Sequence, residues 1–369
     1  MLFLISIIIG MMLAIPMDLY AQDNDLKTEI EKIIRFDTDI DFKKNPGFIV
    51  GIIDNDSTYF FSFGSKNLKS HESLVKDDIF EVGSVTKVFT ACLVSILADN
   101  GTLQYSDKIN AYLPETYRNP RMENVTIHDL VVHQSGLPKR PSFFGRKEKD
   151  SQNPYAHYKV SDLLSFYSDF IPEKKHFEYS HINYALLEVI ITHLLQKEWE
   201  DIMQEYIFEP LNMSRSFVDF PEKRTELVTP GYDRAGKNTT PWSFGSFKGS
   251  EGVKTSAGDM VTFLKVNMKM TGHEIEKIFD KNFTPQITES FNQQLNVGMG
   301  WQLINMNYFN IATHTGKTTG HNAFIGLVRE TKTGVVVFAN SSVGTEDLGL
   351  QILRMINYNW KRINLSKTQ

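Results

Sequence analysis

Residues 81–101 read EVGSVTKVFTACLVSILADNG, with Ser84 and Lys87 three positions apart at the head of an almost wholly apolar run. The spacing of Val88, Leu93, Val94 and Leu97 predicts a helix that buries one face in a core, and Gly101 ends it where a left-handed residue closes the last turn. Ser84 alone reads as an N-cap and Lys87 as a solvated side chain. Yet the positive end of a helix dipole is a poor place for a lysine. The same placement suits chemistry. Lys87 reaches the Ser84 hydroxyl from one turn away, burial and the helix N-terminus favour its neutral, basic form, and the Ser84 backbone N–H faces a developing oxyanion. Ser-x-x-Lys occurs by chance in many chains, so the rest of the sequence decides between the readings.

Upstream, GFIVGIIDNDSTYFFSFGS predicts a hairpin beginning near Phe48, preceded by the helical spacing of NDLKTEIEKIIRF. The first residues, MLFLISIIIGMMLAIPMDLYAQDND, carry about fifteen apolar positions from Leu2 to Pro16 and then LYA before Gln22. This reads as an export signal ending at residue 21, although its leading end lacks Lys and Arg; an uncleaved anchor is the alternative, with a run short for a membrane span. Downstream, helices and long loops dominate to about Ser250. Strand patterns then return in VGMGWQLIN, YFNIATHTG, HNAFIGLVRE and TGVVVFANS, and EDLGLQILRMINYNW closes the chain as an amphipathic helix. The fold class expected is α+β: a mainly antiparallel sheet shared by both ends of the chain, flanked by N- and C-terminal helices, with a mostly helical insertion. The expected layout is a leader at 1–21, a sheet domain from 22–83 and 251–369, and an inserted helical domain at 84–250, with the active site where the two meet.

The chain has 369 residues, 41% of them hydrophobic and 22% charged, with a net charge of −5. It has ample material for a core and no basic stripe, which argues against a nucleic-acid partner. Cys92 is the only cysteine, so no internal disulfide can form; the simplest reading is a small buried apolar residue. His128 and His133, five apart, share no helix face and read as structural. Ser135 has no lysine or other base near it in sequence. Nothing requires a metal or an organic cofactor.

Two further stretches complete a set with FEVGSVTKVFTA: FEYSHINYALLE, where Tyr179 and His181 precede an apolar helix, and HTGKTTGHNAF, where His314, Thr315 and Gly316 end a strand. In this order the three resemble the motifs of the serine β-lactamase and penicillin-binding-protein superfamily, in the branch of class C β-lactamases, D-Ala-D-Ala carboxypeptidases and related esterases. The resemblance runs on through VTIHDLVVHQSGLP, IFEPLNMSRSF, VTPGYDRAG, EGVKTSAGDMVTFL and GVVVFANS, over about residues 46–360. It implies Ser84 as nucleophile, Lys87 as its base, Tyr179 as proton relay, the Lys317 backbone N–H as the second oxyanion donor, and His181, His314, Thr315, Gly316 and Lys317 around the substrate.

Two positions depart from the family pattern. His181 stands where the second motif usually has asparagine, with Asn183 two residues on, and His314 stands where efficient class C β-lactamases have lysine. Both bear on how substrate is held more than on acyl transfer. With an unperturbed value near ~6.5, His314 would gain charge as pH falls and hold a substrate carboxylate better. The function expected is an exported serine hydrolase, periplasmic or extracellular, forming an acyl-enzyme on D-amino-acid peptide amides, β-lactams or related esters. A peptidoglycan stem peptide or another small molecule would be its partner. An esterase or transacylase on small acyl substrates and a penicillin-binding module without turnover are the alternatives.

Overall fold

In the computed structural model, residues 17–367 are described apart from 39, 143–152, 173–175, 289–294, 307 and 344–345. The expected leader therefore falls largely outside the described residues. Helix α1 (Met17–Asp37) leads into the hairpin β1 (Gly47–Asp54) and β2 (Ser57–Gly64), which turns at Asn55 in the left-handed region. The short strand β3 (Ile79–Glu81) follows, then a 3₁₀ turn at Gly83–Val85 and helix α2 (Thr86–Asp99). A helical stretch carries α3 (Ile127–Val131), α4 (Val160–Asp169), α5 (His181–Leu195) and α6 (Trp199–Met203). The two-residue strands β4 (Gly231–Tyr232) and β5 (Asn238–Thr239) interrupt it; they are too short to leave a periodic signal in the sequence. Next come α7 (Lys248–Glu251), β6 (Lys254–Ser256) and α8 (Ala257–Asn267). The chain ends with β7 (Ile287–Thr288), β8 (Leu295–Val297), β9 (Gln302–Asn305), β10 (Asn310–Lys317), β11 (Asn322–Val328), β12 (Thr333–Ala339) and α9 (Glu346–Lys367).

Both ends of the chain meet in one antiparallel sheet, ordered β2-β1-β12-β11-β10-β9-β8-β7. Alternation along the strands sorts its two faces. Phe48, Val50 and Ile52 of β1 join Val335 and Val337 of β12 under α1 and α9, packed with Ile30, Leu348, Ile352 and Leu353. Ile49, Ile53, Val336 and Phe338 point the other way, into the core shared with α2, α5 and α8. The sheet is covered on both sides, which explains why β1, β11 and β12 are almost continuously apolar.

The segment VGMGWQLIN, which reads as one strand, is two: β8 ends at Val297 and β9 begins at Gln302. Gly300 turns the chain there with φ 76 and lies against α2, where an added Cβ would come within 2.8 Å of Ala91 Cβ. The helix that opens the argument is the centre of the larger core. Lys87, Val88, Phe89, Ala91, Cys92, Leu93, Val94 and Leu97 of α2 are all buried.

Candidate active site

Strand β3 pairs with β6, and Val82 N donates to Val253 O at 3.2 Å, so the chain enters the 3₁₀ turn from a fixed direction. Two glycines let strand β10 press onto that turn. Gly83 has φ 49, and a Cβ there would lie 2.7 Å from Lys317 N; a Cβ on Gly316 would lie 1.9 Å from Val82 O. Strand β9 pairs with β10 only as far as Thr313, leaving the outer edge beyond it to the turn that carries Ser84. Thr318 N donates to His321 O, so Lys317, one residue earlier in the antiparallel ladder, points its N–H away from β11 and toward that open edge. The backbone N–H groups of Ser84 and Lys317 are thereby brought to one place. A Cβ on Gly316 would also lie 2.9 Å from Ser84 N, so the two backbones are packed in contact here.

A carboxylate ties the two sides together. Glu81, buried directly before the turn, accepts from Thr318 Oγ1 at 2.9 Å and from Trp242 N at 2.5 Å, and its Oε2 lies 3.0 Å from His321 Nδ1. His321 Nε2 is 2.9 Å from the carbonyl of Thr229, so Nε2 is a donor. Burial opposes ionisation of Glu81, but His321 and more distant Lys254 hold it below its ordinary value.

The second motif is set by the loop before α5. His133, itself in the left-handed region, accepts from Ser180 N through Nδ1, Ser180 caps the helix at Asn183 N, and His181 N donates to Lys139 O. The ring of Tyr179 packs 4.6 Å from that of His133 and 6.3 Å from that of His314. Asn183 points away from the site and accepts from Ser135 Oγ, and His128 meets Gln286, so these residues are structural.

At the centre, Lys87 is fully buried and forms an ion pair with Glu251, Nζ to Oε1 2.9 Å. Ser84 Oγ donates to the same Oε1 at 2.7 Å, and Lys87 Nζ reaches Ser84 Oγ at 3.3 Å and Ser250 O at 3.0 Å. His181 Nδ1 is in close contact with Oε1 as well, and 3.2 Å from Lys87 Nζ. Two acceptors would repel at the first contact, so Nδ1 carries a proton and donates it to the carboxylate. Opposing its burial, Lys87 and His181 hold the Glu251 carboxyl far below the usual carboxylate range. The sequence places a serine beside Lys87; the structure adds a buried carboxylate in contact with both.

The ring of Tyr179 lies over Lys87, Nζ to centroid 5.2 Å, and among the described residues no hydrogen bond joins its hydroxyl to Ser84 or Lys87. His314 donates Nδ1–H to Thr315 O at 2.8 Å, since a carbonyl can only accept, and turns an unprotonated Nε2 outward. Burial first, and the Lys87 charge second, push it down to about 4. The same two causes push His181 down to about 4. The titration near 6.5 expected of His314 is therefore lost to desolvation.

Ser84, Tyr179, His181, His314, Thr315, Gly316 and Lys317 line one cavity of about 300 Å³, with Lys87 beneath its floor. Glu251, Lys139, Arg140, Tyr155, Trp242 and Gln302 also line it, and none of these was singled out from the sequence. Glu251 and Glu81 did carry a signal: each is an isolated carboxylate in an apolar or small-residue stretch, which predicts burial with a partner. Two larger concavities, of about 530 and 610 Å³, lie elsewhere and touch none of these groups. Among the described residues no group of three or more His, Cys, Asp or Glu could hold a metal ion.

A family model described as Beta-lactamase matches residues 36–357. The chain is similar to a beta-lactamase of Pseudomonas fluorescens, 24% identical over 80% of this chain and 88% of that protein. It is also similar to an unguisins hydrolase of Aspergillus violaceofuscus (strain CBS 115571), 22% identical over 87% of this chain and 61% of that protein. Among solved structures, a class C beta-lactamase from Rhodobacter sphaeroides superposes with a TM-score of 0.77 at 22% identity, covering 90% of this chain and 99% of the other.

Proposed function

The chain belongs to the beta-lactamase family of serine hydrolases, and from that premise we propose that it is exported and hydrolyses D-amino-acid peptide amides, β-lactams or related esters through an acyl-enzyme on Ser84. Lys87 and the Glu251 carboxylate paired with it form the basic centre beside the serine, Tyr179 passes a proton to the leaving group, and the Ser84 and Lys317 backbone N–H groups hold the oxyanion. The observation that carries this reading is the meeting of a serine hydroxyl, a buried lysine and two converging backbone donors in one cavity. Export rests on the apolar leader at 1–21. Among the described residues no helix is long and apolar enough to cross a membrane.

One observation favours the ester reading within this class. Class C β-lactamases of the resembling pattern carry lysine in the third motif, whereas His314 is neutral and presents a lone pair. At His314 small or neutral acyl substrates meet no charge, and a carboxylate would rely on Lys139, Arg140 or Lys317 elsewhere around the cavity. The test is to incubate the protein with a fluorescent penicillin, a chromogenic cephalosporin, D-Ala-D-Ala peptides and p-nitrophenyl esters, and to locate any adduct by mass spectrometry. An adduct on Ser84 that disappears in a folded Ser84→Ala variant is the expected result. Turnover at the wild-type rate in Ser84→Ala would overturn the reading.

A further inference from the structure

Glu251 lies outside the three motifs, yet one of its oxygens receives Ser84, Lys87 and His181 together. Oε1 accepts from Ser84 Oγ at 2.7 Å and from Lys87 Nζ at 2.9 Å, and His181 Nδ1 donates to it. An ammonium has three protons, and Lys87 Nζ has three oxygens within reach: Ser84 Oγ, Ser250 O and Glu251 Oε1. Three acceptors suit an ammonium, and the fourth neighbour, His181 Nδ1 at 3.2 Å, turns its own proton to the carboxylate. The hydroxyl proton of Ser84 points at the carboxylate, not at the amine.

Helix α7 is built to keep that oxygen in place. Gly249 N donates to Glu188 Oε2 of α5 at 2.9 Å, Gly249 O accepts from Thr90 Oγ1 of α2 at 2.7 Å, and a Cβ on Gly249 would come within 2.9 Å of Tyr184 O. The backbone that carries Glu251 is wedged between the helix that bears Lys87 and the helix that bears His181. His181 takes part in the arrangement, donating to the carboxylate from the position where the family usually has asparagine.

Resting on the reading of Ser84 as nucleophile, we propose that Glu251 is the group that accepts the Ser84 proton as Oγ attacks, while Lys87 is an ammonium at that step and His181 orients the carboxylate. The Oγ–H bond breaks and its proton moves to Oε1 as the Oγ–acyl carbon bond forms, and the carbonyl electron pair moves to the oxyanion. As the pair returns and expels the leaving group, Lys87 releases a proton to that group and recovers one from Glu251. In deacylation water attacks, its proton enters the same Lys87–Glu251 pair, and Oγ takes a proton as its bond to the acyl carbon breaks. A carboxylate beside an ammonium is a weak base. Transfer is helped because Lys87, bonded to Oγ too, stabilises the alkoxide as the proton leaves.

The rival, in which neutral Lys87 is the base, predicts the opposite response to one substitution. Glu251→Gln keeps the shape but removes the counter-charge, so the buried ammonium is easier to deprotonate and a lysine base would act as fast or faster. If Glu251 is the acceptor, acylation by p-nitrophenyl acetate, followed under single turnover, falls ~10²- to 10⁴-fold. An unchanged or raised rate in a variant that melts like wild type would overturn the proposal. Should that variant fail to fold, wild type decides. Acylation that is flat from pH 5 to 8 is expected of a carboxylate held ionised, and a tenfold rise per pH unit would assign the proton to Lys87. The groups facing Glu251 are Lys87 of α2, His181 of α5, Tyr155, Tyr179, His314 of β10 and Arg140, with Glu188 behind α7. The profile is therefore repeated in Glu188→Gln to remove the one carboxyl pushed up to about 7. Absence of any Ser84 adduct in wild type would overturn the nucleophile reading itself, which separates that failure from a failure of Glu251 alone.

Discussion

Single residues in this site do what their surroundings allow. His314 shows it best: the residue type predicts a switch at neutral pH, whereas burial and the neighbouring Lys87 push it down to about 4. A base with a lowered value is neutral at all higher pH, so it gains charge only near the bottom of the folded range. We expect the KM of a carboxylate-bearing substrate to show no His314-dependent change between pH 5.5 and 8. His314→Lys should lower that KM roughly fivefold, about 1 kcal/mol for a partly solvated pair, and leave the KM of a neutral ester unmoved. The comparison of the two substrates in the two proteins is the check, and a wild-type KM that falls with acidification while His314→Lys stays level would contradict it. Cys92, by contrast, behaves as its type suggests. It is buried on α2 and its thiol is pushed up by desolvation, as an inert packing group should be.

At the scale of elements, the short ones matter most. Helix α7 is a single turn and would not stand alone, so its position rests on contacts with α2 and α5. Glu188 holds it by accepting from Gly249 N, and burial pushes this carboxyl up to about 7, against partial relief from that hydrogen bond and from Lys248. The folded state therefore binds this proton more tightly than the unfolded chain, and stability from this group is lost as pH rises from about 4.5 through 7. Glu188→Gln keeps an oxygen for Gly249 and has no proton to lose. Its stability relative to wild type should rise across that window by on the order of 1–3 kcal/mol and level off above it. Urea midpoints of the two proteins at pH 5 and pH 8 measure the difference, and an equal gap at both pH values would mean that Glu188 is not the group that titrates.

For the whole molecule, the sheet separates stability from chemistry. The face under α1 and α9 carries Phe48, Val50, Ile52, Val335 and Val337, packed against Leu353 of α9, and the site lies beyond the other face. Leu353 of α9 is fully buried, with Cδ2 3.1 Å from where a Cβ on Gly326 would stand. Leu353→Ala should cost about 2–5 kcal/mol in denaturant unfolding, while the acylation rate constant of the folded fraction stays at the wild-type level. A variant equally destabilised and slowed in acylation would show that the two faces are coupled.

Local pattern alone determined that β1, β2, β10, β11, β12 and the two terminal helices exist: short apolar runs bounded by turns mark the strands buried on both faces, and a repeat of 3.6 residues marks the helices. The Ser84–Lys87 pair was legible because both lie within one helical turn, and Tyr179 and His314 because their motifs are short and ordered along the chain. Glu251 was not legible as part of the site: 167 residues separate it from Ser84, and only the wedge of α7 between α2 and α5 closes that distance to 2.7 Å. The charge states of His181 and His314 were decided at the same level. Charge state depends on burial and on the nearest opposite charge, and both are properties of the packed molecule rather than of any stretch of its sequence.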